Sequence, residues 1–356
     1  MLLGIIVSTI QLPGYIGAVI PTAWISLFVI VPVLLFWYKV EITLIHILGS
    51  LFLLYAGLSL IWAPNFNISF FEYCKLLVLA GVFCISFNLL AVYKGLAIGL
   101  GISAFVGLAQ WQWDWNGIFK LYPNVASGLL INPDLLCEFS AVMFLALFVS
   151  RLWFWLPVTL PGLILVHSRA AILGLTVGLC MWAWQKSRRL VLVFISVCIY
   201  VFGIKINGFF SAYDRLTIWI DTVRGLTLFG HGVGSFDLLY PTYATTDTSI
   251  ARPMNAHNDL LQLMFDLGIG VVPLLVMIGL LLYARNNAAI YSSKIVFVAI
   301  TAISFFSFPL HIPLLGFIWV LVAGDIARNA ISDGYFSRHS GSTVFRSVER
   351  QRYSTI

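Results

Sequence analysis

Long apolar runs, parted by short polar breaks, fill most of the chain. A membrane span needs roughly 20 mostly apolar residues. On that measure the pattern predicts about twelve spans, at 2–20, 22–38, 42–62, 76–92, 95–112, 133–150, 152–167, 170–185, 190–206, 267–284, 295–309 and 311–326. Pro13 and Gly14 interrupt the first run. Pro309, His311 and Pro313 part the last two, which also suit a re-entrant pair. The pattern is that of an all-α polytopic membrane protein of about twelve transmembrane helices.

One stretch departs from this rhythm. Residues 207–266 carry Asp214, Arg215, Asp221, Arg224, His231, Asp237, Asp247, Arg252, His257, Asp259 and Asp266. It is too long for a passive turn, and its Trp, Phe, Tyr and Leu content argues against disorder. Leu216, Trp219, Ile220 and Val223 recur at helical spacing over 212–226. That predicts an amphipathic helix lying on the membrane or on the bundle, with Arg215 and Trp219 sharing a face. Gly230, Gly232 and Gly234 predict a flexible turn before Phe236. Asn255 or Asn258 is placed to cap a helix through Leu260, Leu261 and Met264, with His257 at its start. The predicted organisation is therefore 1–206, the first nine spans; 207–266, a structured extracytoplasmic catalytic loop; 267–327, the last three spans; and 328–356, a basic, disordered cytoplasmic tail.

Composition narrows the class. Only 10% of the 356 residues are charged and 61% are hydrophobic, whereas a soluble domain carries about 25% charged residues. That excludes a cytosolic enzyme, a disordered protein and a secreted disulfide scaffold. The net charge of +6 comes without the aromatic–basic interleaving of nucleic-acid binders. It fits basic residues gathered in cytoplasmic loops. With both termini in the cytoplasm, Lys39, Lys94, Arg151, Lys186, Arg188, Arg189, Arg285, Lys294 and the basic tail fall inside. Lys75, Lys120, Arg169, Lys205, Arg215, Arg224 and Arg252 fall outside. The five cysteines form no CxxC pair and read as small apolar residues. Residues 1–12 lack the basic start of a cleavable signal peptide. The Gly230–Ser235 run lacks both the Lys of a P-loop and the preceding strand of a Rossmann turn. No metal-ligand spacing occurs.

Few residues are left to carry chemistry. Arg169, with Ser168 before it, lies at the outer junction of two spans; an arginine beside lipid is functional by default, or it snorkels to the headgroups. Arg215, with Arg224 and Arg252 nearby, offers a planar fork suited to an anionic headgroup or a pyrophosphate. Arg224 reads rather as an ion-pair partner of Asp221. His257 suits a general base; a helix N-terminus beside it favours the neutral ring, and Asn258 or Asp259 is placed to orient it. His231 is a weaker rival, and His46, His167 and His311 read as packing or interface residues. Asp134 and Glu138 are one helical turn apart; a proton relay is possible there, but the plainer reading puts Asp134 at the interface and pairs Glu138 with a base on another span.

Several segments together resemble the O-antigen ligase and polymerase superfamily, from about residue 62 to 323. They are Leu60-Ile61-Trp62-Ala63-Pro64, Ser127-Gly128-Leu129-Leu130-Ile131-Asn132-Pro133 and His167-Ser168-Arg169-Ala170-Ala171. The loop adds Arg215-Leu216-Thr217-Ile218-Trp219, Gly232-Val233-Gly234-Ser235-Phe236, Ala256-His257-Asn258-Asp259-Leu260-Leu261-Gln262 and Gly268-Ile269-Gly270. Their order and placement around one large loop carry the resemblance.

The resemblance implies a GT-C-like fold in a bacterial inner membrane, with its active site facing the periplasm. It implies metal-independent, inverting transfer of a glycan from a polyprenyl-pyrophosphate carrier to a sugar hydroxyl, without a cofactor. The acceptor would be lipid A core or another glycan. Arg169 and Arg215 would hold the pyrophosphate and His257 would be the base. Arg252, Arg224, Trp219, Asn258 and Ser168 would line the substrate site, among membrane lipids and with no nucleic-acid partner. Two features depart from the family pattern: Thr227-Leu228-Phe229 replaces the proline often found before the glycine turn, and the 113–132 loop is compact. Ligation to lipid A core is the preferred assignment; a polymerase, a protein-glycosylating member, or a flippase without chemistry are the alternatives.

Overall fold

The computed structural model describes residues 22–36, 42–112, 127–130, 132–166, 168–204, 209–245, 253–284 and 287–332. The expected first span, His167, Asp247, Arg252 and the tail beyond 332 lie outside these residues. Every regular element among them is helical. The helices are α1 (Thr22–Phe36), α2 (Leu44–Leu58), α3 (Phe66–Cys84), α4 (Leu89–Gln112), α5 (Pro133–Val149), α6 (Leu160–Leu165) and α7 (Arg169–Trp184). They continue with α8 (Arg188–Ile204), α9 (Phe209–Arg224), α10 (Phe236–Tyr243), α11 (Asp259–Leu267), α12 (Val272–Tyr283), α13 (Ala288–Ser304) and α14 (Pro313–Ser332). Short 3-10 turns at Ser59–Ile61, Trp153–Thr159, Gly268–Val271 and Pro309–His311 extend or join them.

Five stretches are long and apolar enough to cross a membrane: Leu44–Ile61, Phe66–Cys84, Leu89–Gln112, Asp259–Tyr283 and Pro313–Ile331. This is an all-helical protein with the make-up of a polytopic membrane protein. α14 is the most enclosed of the five and packs against α3 and α13. Gly174 and Gly178 of α7 have no room for a Cβ beside Ile303 and Leu145. They let α7 close on α13 and α5, the small-residue packing typical of membrane helices.

Helix starts follow local capping chemistry. Asn132 accepts the Asp134 amide (2.9 Å) with Pro133 in the first turn. Ser168 accepts from Ala171 (3.4 Å), and Asn88 from Ala91 (3.1 Å).

Helix bounds differ from the apolar runs at several places. The predicted span 152–167 is a 3-10 turn, Trp153–Thr159, leading into the six-residue α6, with Pro157 and Pro161 breaking the run, and the predicted span 295–309 is instead α13, Ala288–Ser304. The predicted span 76–92 straddles a break, because α3 begins at Phe66 and α4 at Leu89. Asn67, Glu72 and Lys75 hide the first half of α3 from a hydropathy window. The predicted span 267–284 starts earlier, at Asp259, and is interrupted at Gly268. That glycine has φ +51°, and a Cβ there would collide with Leu228 O. Finally, α14 runs past 327 to Ser332. Arg328, placed in the tail by the sequence, instead donates to Phe83 O (2.9 Å) near the end of α3, where a cation suits the helix dipole.

Candidate functional site

The segment from α9 to α11 folds back on the bundle and carries most of the candidate residues. Asn258 caps α11 by accepting from Leu261 N (3.0 Å), which fixes the backbone just after His257. Ala256 fixes it just before. The Ala256 amide donates to Gln262 Oε1 (2.9 Å) and the Trp219 indole donates to Ala256 O (2.9 Å). His257 is held between them at φ +52°, a left-handed conformation that costs a non-glycine residue about 1–3 kcal/mol. Its ring lies edge-on to Phe308 at 5.2 Å. Its Nδ1 is buried and has no hydrogen-bond partner among the described residues. Burial, and then the nearby Arg215 charge, push this imidazole down to about 4. The ring is therefore neutral at pH 7 and able to accept a proton.

Neither residue expected to orient the ring does so. Asn258 is committed to the helix cap. The Asp259 carboxylate is turned away, accepting from His311 Nδ1 (2.8 Å) and from Leu310 N (3.0 Å). His311 Nε2 in turn faces the Gln262 amide nitrogen at 3.1 Å. Because Gln262 Oε1 is occupied by the Ala256 amide, its NH₂ must be the donor to His311. The ring is therefore the Nδ1–H tautomer, and a chain Asp259–His311–Gln262–Ala256 ends at the peptide before His257. The sequence marks His311 as a packing or interface residue; in the fold it is the partner of Asp259. It is separated from Asp259 by more than fifty positions, and only the polar residue in the turn between two prolines hinted otherwise.

Arg215 and Trp219 do share a face of α9, and both grip the 305–308 turn. Arg215 Nη1 donates to Phe306 O (2.9 Å), and the Trp219 ring meets the Phe306 ring at 5.7 Å. The Phe306 bond uses one of five guanidinium donors. Arg215 lies close enough to act electrostatically on His257, Asp134 and Glu138, and Arg169 on Asp134. Ser168 opens α7 before Arg169 and donates to Glu138 Oε1 (3.4 Å). Glu138 is fully buried, with Ser307 beside it and Oε2 without a partner. The expected pairing of Glu138 with a base is thus corrected to a serine contact. These influences link residues from α5, α7, α9 and the turn before α11: Arg215 to His257, Asp134 and Glu138, Arg169 to Asp134, and Ser168 to Glu138.

Other polar residues of the loop build the scaffold. Arg224 is 57% exposed and pairs with Asp221 at 3.1 Å, the i,i+3 pair read from the sequence. Asp221 is buried and also takes Thr245 N (2.9 Å) and Thr245 Oγ1 (3.1 Å). Burial and Asp221 hold the neighbouring Tyr240 hydroxyl up at about 12. Asp266 accepts three amides at the start of α10, from Gly234 (2.9 Å), Ser235 (3.1 Å) and Phe236 (3.0 Å). The glycine turn wraps around this region; Gly230 has φ +70°, and a Cβ there would strike Asp266 O. His231 donates through Nε2 to Gly225 O (2.7 Å) and stacks near Phe265 at 4.5 Å. That makes it a structural residue. Leu216, Ile220 and Val223 of α9 are exposed, while Trp219 and Asp221 turn inward. Among the described residues no group of three His, Cys, Asp or Glu side chains is placed to hold a metal ion.

A cavity of about 1260 Å³ lies between α2, α3, α11, α12 and α14. Most of its wall is apolar. Glu72, Lys75, Asp237, Asn255, Asp259 and His311 cluster on the loop side. Arg169, Arg215 and His257 are not among its lining residues; Phe308, whose ring meets the His257 ring, and Asn255, two positions before His257, are. No protein-family model matches this sequence, and no curated protein matches it.

Proposed function

We propose that the chain is an inverting, metal-independent glycosyltransferase. It moves a glycan from a polyprenyl-pyrophosphate carrier to a sugar hydroxyl, with ligation of O-antigen to lipid A core as the assignment. About twelve spans and a periplasm-facing loop belong to the same proposal. One observation supports it: Arg215, far from both in sequence, lies near enough to His257 and to Asp134 to act on each electrostatically, and Arg169 acts on the same Asp134.

The chemistry follows from charge and protonation. The acceptor oxygen attacks the anomeric carbon, and its proton passes to the neutral His257 imidazole. The bond from that carbon to the carrier phosphate breaks, and its electron pair stays on the pyrophosphate. Arginine charge fixed beside the leaving group stabilises it more as it departs than before. The strained, clamped backbone at His257 keeps the base in place before substrate arrives.

Glycan profiling of a deletion strain tests the assignment. Carrier-linked glycan accumulating on the outer face, with none on lipid A core, is the expected result. Restoration by the wild-type gene and not by Arg215→Ala is expected with it. Single repeat units on the core would mark a polymerase. Carrier-linked glycan trapped on the cytoplasmic face would mark a flippase and overturn the proposal.

A further inference from the structure

The large cavity and the arginine neighbourhood are two compartments of opposite character. The cavity starts at Glu72, Lys75 and Asp237 and runs down the α2–α3 pair. Its far end is near His46 and Phe83, whose rings meet at 5.5 Å. Between Leu54 and His46, both on its wall, α2 covers about 12 Å at 1.5 Å per residue. On α2, Leu51 and Leu54 also face outward, where lipid would lie. This is a space for hydrocarbon chains with one polar end.

That polar end does not suit phosphate. Glu72, Asp237, Asp259 and Asp266 bring carboxylates to it. Its one lysine, Lys75, is already paired with Glu72 at 2.5 Å and lies over Phe71, and His311 is paired with Asp259. Carboxylates, an asparagine and aromatic faces instead match hydroxyl groups and the apolar faces of a sugar ring. A pyrophosphate placed here would meet acids, while arginines lie in the adjoining compartment.

We infer that this cavity binds a membrane lipid with a neutral, hydroxyl-bearing headgroup, its chains along α2 and α3 and its head at Asp237 and Asn255. A phosphate-bearing lipid, whether lipid A core or a pyrophosphate carrier, would meet the same acids, so this site goes beyond the function proposed above and is separate from both substrates of that transfer.

The test uses the full chain, purified in nanodiscs. The probe is glucosyl-diacylglycerol with a photoreactive group in its acyl chain. Crosslinks are expected on α2, α3 and α12. Gly49 lines the cavity, and a Cβ there meets only Met277 Sδ, at 3.9 Å. Gly49→Leu therefore fills the space without disturbing the helix; displacing about two methylenes from it should cut labelling about tenfold. Met277→Trp is a second filling variant. Unlabelled phosphatidylglycerol and undecaprenyl pyrophosphate should compete poorly, and Asp237→Lys should make phosphatidylglycerol a better competitor.

Labelling unchanged by both filling variants would overturn the inference. So would displacement of the probe by undecaprenyl pyrophosphate, which would make the cavity a donor-tail site. Transfer is measured on the same samples. Labelling without any transfer by the wild type would leave the lipid site standing and remove the proposed function.

Discussion

Gln262 is the joint between the Asp259–His311 pair and the peptide before His257, so Gln262→Leu isolates what that joint does. Leucine nearly matches the size of glutamine but neither donates nor accepts. The Ala256 amide loses its 2.9 Å partner, and His311 Nε2 loses its 3.1 Å partner. Ala256 is fully buried, whereas the His311 side chain is 24% exposed. The unmet Ala256 amide costs about 1–3 kcal/mol, comparable to the roughly 1–3 kcal/mol of strain stored at His257. The clamp on the strained turn is then no longer secure, and the turn relaxes toward ordinary backbone. A displaced base costs about 10²-fold in rate. The bundle itself should stay folded, because α2–α5, α7, α13 and α14 form most of the core. The assay is glycan transfer by purified protein, with thermal melting as the folding control. Gln262→Glu keeps an acceptor for the Ala256 amide and is expected to retain more activity than Gln262→Leu. Transfer by a folded Gln262→Leu at the wild-type rate would refute the role assigned to the clamp.

Four further outcomes are expected. Arg215→Lys removes the planar fork and should slow transfer about 10²-fold with melting unchanged, whereas exposed Arg224→Ala should cost less than about 1 kcal/mol and leave transfer intact. Asp221→Ala strands Thr245 and Tyr240 in the loop core and should lower the melting temperature clearly, as read by nano-scale fluorimetry. Gly268→Ala forces a side chain into a left-handed position against Leu228 and should destabilise by more than about 1 kcal/mol, measured by denaturant titration. Burial, and then Arg215, hold the His257 imidazole down to about 4, against 6.5 for an ordinary histidine. As pH falls from 6.5 toward 4, the unfolded chain binds a proton that the folded one does not, so stability falls across that window. His257→Asn should flatten that part of the pH–stability curve.

Particular residues show how much the sequence carried. Asn258, Ser168 and Asn132 announce their helix starts, because capping is a local matter of one side chain and the amides two or three positions on. The Arg215–Trp219 face and the Asp221–Arg224 pair were legible for the same reason, being set by helix geometry alone. The Asp259–His311 pair was not, since no periodicity links a loop aspartate to a histidine two helices later. The first half of α3 is hidden because Glu72 and Lys75 interrupt an otherwise apolar run. The glycine turn read as flexible; in the fold each glycine is a place where another chain segment passes too close for a Cβ, and that depends on tertiary packing.

The central claim is that Arg215 and His257 form one site for transfer from a pyrophosphate carrier. The direct measurement is transfer in vitro, with purified full-length protein, an undecaprenyl-pyrophosphate-linked glycan, lipid A core as acceptor, and EDTA present. The account predicts product with the wild type and loss of it in both Arg215→Ala and His257→Ala variants that melt normally. Wild-type rates in either variant, or no product from wild-type protein that binds the donor, would contradict it.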